Sequence, residues 1–127
     1  MDNFFEEINI SLEISNPYND ESITFRGRIL NWFMERSNPE GLKQLFFYQA
    51  VHGEGTGDLG NNYDFAGVAS EIINPNYREV EATEIEARSK VISEDPAPGF
   101  ILVIKNKITI NPDEDITMDT NFYSEYW

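Results

Sequence analysis

The chain has 127 residues, with 23 Asp and Glu against 9 Lys and Arg, a formal net charge of −14 and no cysteine. That length suits one domain, 1–127, whose core needs no covalent staple, and the missing thiols exclude disulfide frameworks, thiolate zinc sites and cysteine nucleophiles. A surface of this sign repels phosphate backbones and anionic lipid, so direct nucleic-acid and membrane binding are not expected, whereas a basic protein partner is drawn in at long range.

The opening stretch Met1 to Glu7 has neither the basic start nor the apolar run of a secretory signal. The apolar run Phe100 to Ile104 is too short to span a bilayer as a helix, so a cytoplasmic protein is expected. Ile8 to Ile14 alternates apolar and polar residues without a fault, the pattern of a half-buried strand. Asn16, Pro17, Asn19 and Asp20 make the next stretch a turn. Ile23 to Arg36 is a second strand, with Ile23, Phe25, Ile29 and Phe33 on one face and Leu30, Trp32 and Met34 drying the other. Gly27, where the pattern changes, marks a bulge or a close backbone approach.

Ser37-Asn38-Pro39-Glu40-Gly41 follows. Pro39 is pre-set for the first central position of a type I turn, and Gly41 can take the positive φ that closes a hairpin. A helix starting at Asn38 competes, but the β-branched and aromatic flanks favour the hairpin. Leu42 to Val51 is then a strand apolar on both faces, Leu45, Phe47 and Val51 on one and Phe46, Tyr48 and Ala50 on the other. Such a strand is central, or lines a barrel whose outside is covered.

Gly53 to Asn62 reads as a mobile surface loop. Gly55, Gly57 and Gly60 match the spacing of a dinucleotide-binding turn, but no βαβ unit surrounds them and Glu54 and Asp58 would repel phosphate. Tyr63 to Ile73 is compatible with a short helix or a strand, and Asn74-Pro75-Asn76 ends it. From Thr83 to Ile92 the charges Glu84, Glu86, Arg88 and Lys90 alternate with smaller or apolar residues, which a strand places on one solvent face. Pro96 and Pro98 stiffen the next loop, and Phe100 to Ile110 is a strand with room for a turn at Lys105-Asn106-Lys107.

From about residue 111 the chain is an acidic, aromatic tail. Asn111, Asp113 and Asp115 resemble the first half of a calcium loop, but Ile116 stands where that loop needs Gly and Phe122 where it needs Glu, so no metal or other cofactor is expected. The fold expectation is mainly β: a single antiparallel domain, small barrel or sandwich, with at most one or two short helices, and α+β as the alternative.

Catalysis would rest on Tyr48, His52, the only histidine, and Glu54; a lone histidine is more often structural. No Lys or Arg occurs before Arg26, between Lys43 and Arg78, or after Lys107. The leading expectation is therefore an acidic, non-catalytic binding protein that acts through protein–protein interaction and extends to inhibition of a basic or nucleic-acid-binding partner. Its contacts would come from Phe122, Tyr123, Tyr126 and Trp127 with Asp113, Asp115 and Asp119. The alternative is a small β-barrel that binds an apolar small molecule, with cofactor-free isomerase or cyclase chemistry. A third reading is an assembly subunit whose tail docks on another copy, and solubility alone also accounts for an acidic surface.

Overall fold

The computed structural model describes residues 3–127, and Met1 and Asp2 of the opening stretch lie outside them. Alternation with period two runs through most of this sequence and produces seven strands: β1 Phe4–Ser15, β2 Ser22–Ser37, β3 Lys43–Gly57, β4 Asn62–Ile73, β5 Glu81–Ser93, β6 Phe100–Ile110 and β7 Ile116–Glu125. They pair antiparallel in chain order into one sheet. The sheet coils until β1 comes alongside β7, a nearly closed barrel. The described residues contain no helix, so the expected antiparallel β fold is the one observed and the ambiguous stretch 63–73 is a strand.

The expected hairpin forms at Asn38–Gly41. The Gly41 N–H donates to the Asn38 carbonyl at 2.9 Å, the Asn38 N–H donates to the Leu42 carbonyl at 2.8 Å, and Gly41 has a φ of 83°. At Gly27 the register Ile10↔Gly27↔Gly53 runs without a bulge, so the glycine marks a close approach: a Cβ there would collide with the His52 carbonyl of β3.

Two expectations are corrected. Gly53 to Asn62 is not a mobile loop: β3 runs to Gly57, β4 begins at Asn62, and only the four residues between make the turn. Its glycines serve packing, because side chains at Gly53 and Gly57 would collide with the Phe65 ring and the Glu21 carboxyl. Nor is there a turn at Lys105-Asn106-Lys107, since β6 is continuous and Asn106 is fully buried within it.

Inside the barrel two apolar clusters are stacked, one around Phe25, Phe65, Phe100 and Leu102, the other around Phe33, Phe47, Ile108 and Ile110. Between them lies a belt of buried amides. Gln49 Nε2 donates to Asn31 Oδ1 at 2.9 Å and to Asn106 Oδ1 at 3.0 Å, Asn106 Nδ2 donates to Gln49 Oε1 at 2.8 Å, and Asn31 Nδ2 donates to Glu6 Oε1 at 3.0 Å. Each amide finds a partner, which is what makes a polar layer tolerable in an apolar interior.

One junction in the sheet is incomplete. β4 and β5 share only the pairs Tyr63↔Ser93, Asp64↔Ile92 and Phe65↔Val91, beyond which Ala66–Ile73 and Glu81–Lys90 part without a ladder. The β4–β5 connection folds back at this end of the barrel, and Tyr77 packs on the second cluster and donates to Glu35 Oε2 at 2.9 Å. Burial, followed by that carboxylate, pushes the Tyr77 hydroxyl above its usual range.

Candidate protein-binding surface

Strand parity decides which face each candidate residue occupies. On β3, Leu45, Phe47, Gln49 and Val51 point inward and are buried, so Tyr48, His52 and Glu54 point outward, the last two exposed. The interior beside them is filled by Phe25, Phe33, Phe47 and Phe100. The three residues therefore face solvent, not a chamber. Tyr48 has apolar neighbours, whereas His52 lies opposite Arg28 and Glu54 opposite Arg26 and Asp64.

Around Tyr48 the register builds an apolar patch on the outside of β1–β4. One row is Phe5, Trp32 and Tyr48; the next is Leu30, Ala50 and Val68; the third is Met34, Phe46 and Ile72. Phe5 is 57% exposed, Trp32 43%, Val68 66% and Ile72 53%, so nothing among the described residues covers this face. With strands about 4.8 Å apart and same-face residues about 6.8 Å apart, these nine positions cover roughly 290 Å². It is a contiguous apolar patch of the size that is the largest on an ordinary monomer and is often functional. Phe5 meets Trp32 edge-on at 6.2 Å, and the Arg36 guanidinium lies 5.8 Å from the Phe46 ring centroid. Polar groups rim the patch: Arg28 pairs with Glu7 at 3.1 Å, and Arg26, Glu54, Asp64 and Glu94 line an open groove of about 640 Å³.

The tail is ordered by the sheet. Asp113 and Asp115 lie in the tight β6–β7 turn, where Asp113 Oδ1 accepts from the Asp115 N–H at 3.2 Å, and Asp119 stands opposite Lys107 on β7. Phe122 packs inward against the first core cluster, while Tyr123 faces out opposite Val103. Tyr126 and Trp127 sit at the other end of the barrel. The Tyr18 hydroxyl donates to the Trp127 carbonyl and accepts from its N–H, both at 2.9 Å, the Tyr18 and Tyr126 rings meet edge-on at 5.0 Å, and Lys90 Nζ lies 4.7 Å from the Trp127 ring. The seven residues are thus divided among a turn, both faces of a strand and a docked terminus.

Two polar features escaped the sequence reading. Asn31, Gln49 and Asn106 occupy inward positions between apolar neighbours, and that interruption of the alternation is a local signal that would have found them. Glu21 gives no such signal. It is 1% exposed and accepts from the Leu59 N–H at 2.8 Å, from Asn61 Nδ2 at 3.0 Å and from the Tyr63 hydroxyl. Burial alone would raise its pKa, but the bonds from Tyr63, Asn61 and Leu59 outweigh it and hold the carboxylate below its usual range. Asn16 completes the cluster by donating to the Tyr63 hydroxyl at 3.1 Å and the Pro98 carbonyl at 2.9 Å, so Glu21 and Asn16 together tie three loops at this end of the barrel.

Compared with protein-family models, curated proteins and solved structures, the chain matches none.

Proposed function

We propose that this protein is a non-catalytic binding protein that engages a basic protein partner, with inhibition of a basic or nucleic-acid-binding protein as the consequence. The observation that supports this reading is the uncovered apolar face of β1–β4, centred on Trp32 and Tyr48, on a chain of net charge −14. The long-range field speeds encounter with a basic surface, and aromatic side chains that lose water on contact supply most of the binding energy. Arg26, Arg28 and Arg36 lie on the outer face of β2, so the patch margin is mixed in sign and the excess of carboxylates lies elsewhere. The patch then provides grip, and the remaining surface provides attraction.

An apolar-ligand barrel would need its aromatics around an accessible chamber, and here they pack on one another, as Phe33 and Phe47 do at 4.9 Å and Phe25 and Phe65 at 5.3 Å. The deciding experiment is a pull-down from the native host at low and high salt, with wild type beside a Trp32→Ser, Val68→Ser variant. A basic protein retained at low salt by wild type and released by the variant is the expected result. Recovery of no basic or nucleic-acid-binding protein at either salt would overturn the proposal.

A further inference from the structure

Beyond Phe65↔Val91, β4 keeps its ladder to β3 and β5 keeps its ladder to β6, so each turns an unpaired edge toward the other. An unpaired edge presents N–H and C=O groups in the spacing that another extended chain satisfies. Between the parted edges runs an open groove of about 430 Å³ lined by Glu71, Ile73, Glu81, Thr83, Glu84 and Ile85. The three carboxylates accept no hydrogen bond and form no ion pair among the described residues. At the head of the seam Ser89 is 2% exposed, and its Oγ is buried without a hydrogen-bond partner among the described residues. It points across the seam at β4, where a Cβ on Gly67 would collide with it.

We infer that this seam receives an extended, Lys- or Arg-rich segment of the partner as an added strand, which rests on the reading of the protein as an acidic binder. Main-chain bonds to the free edges toward Ile73 and Glu81 hold the segment; its inward side chains meet Glu71, Ile73, Glu81 and Ile85, which share the inner face, and its outward ones meet Glu84. Charge selects the segment, and the sheet edge dictates its conformation.

The test uses the whole protein and a labelled synthetic peptide of alternating lysine and valine, followed by fluorescence anisotropy and amide hydrogen exchange. The peptide should bind more weakly as salt rises and should protect amides within 66–73 and 81–90. Methylating alternate peptide nitrogens leaves charge intact but removes ladder donors, and should weaken binding by about tenfold or more. The triple variant Glu71→Gln, Glu81→Gln, Glu84→Gln should lose on the order of tenfold at low salt. Equal affinity of the methylated peptide, or protection confined to the outer face of β1–β4, would overturn strand addition and leave the acidic-binder reading standing. If the triple variant binds the peptide unchanged but self-associates, the carboxylates only guard the edges, and the inference falls. If wild type retains neither this peptide nor any basic protein, both readings fall together.

Discussion

Gln49 on β3 and Asn106 on β6 stand 57 residues apart and exchange two hydrogen bonds, of 3.0 and 2.8 Å, across the inside of the barrel. Their strands are not neighbours in the sheet, so this pair clamps one wall to the other where the two apolar clusters meet.

Asn106→Leu should therefore cost about 1–3 kcal/mol, because it leaves the buried Gln49 Oε1 without its donor while Gln49 Nε2 keeps only Asn31. The double variant Gln49→Leu, Asn106→Leu should cost less than the sum of the single changes. Chemical denaturation of the four proteins measures the coupling, and strict additivity would show that the belt is not a unit.

Glu21 predicts an acid limb in stability. Its pKa is lower folded than the 4.5 of the free group, so its contribution is fully present above that value. The contribution falls away as pH drops below 4.5 and is gone once pH passes the folded pKa. Wild type minus Glu21→Gln, measured by denaturant titration from neutral pH downward, isolates this term from the other carboxylates. A difference that stays constant through the acid range would contradict it.

Two glycines should respond for different reasons. Gly41→Ala meets no neighbour within 4 Å but must hold a φ of 83°, a cost of about 1 kcal/mol. Gly27→Ala brings its new methyl against the His52 carbonyl, so two paired strands must separate. Thermal melts should show the larger drop for Gly27→Ala, and the reverse order would mean that the β2–β3 approach relaxes easily.

Deleting Asp119 to Trp127 removes most of β7 and the inward Phe122, and should lower the melting temperature sharply. Removing only Tyr126 and Trp127 loses the bonds to Tyr18 and the Lys90 contact, and should leave the fold intact with a small shift. Equal shifts in the two deletions would mean that β7 contributes little to closing the barrel.

Trp32→Ala removes a side chain already 43% exposed and should change stability by about 1 kcal/mol or less. A partner recovered by pull-down should lose roughly 30-fold or more in affinity, the level of an interface anchor. Isothermal titration with that partner measures it, and unchanged affinity would remove Trp32 from the interface.

Local pattern alone settled the strand character of Ile8 to Ile14 and Thr83 to Ile92 and the hairpin at Asn38–Gly41, because period-two alternation and the φ preferences of Pro39 and Gly41 act within a few residues. It also showed that β2 and β3 carry apolar residues on both faces. Only the tertiary structure decided which face became core. The coiling of the sheet, with the inward register of Phe25, Phe33 and Phe47, put Trp32, Tyr48 and Val68 outside with none of the described residues over them. The same holds for the stretches misread as loop and turn. Gly53 and Gly57 are packing residues because Phe65 and Glu21 arrive from elsewhere in the chain, and Asn106 stays in its strand because Gln49 reaches it across the interior. Such contacts depend on where distant strands meet, which no window of sequence contains.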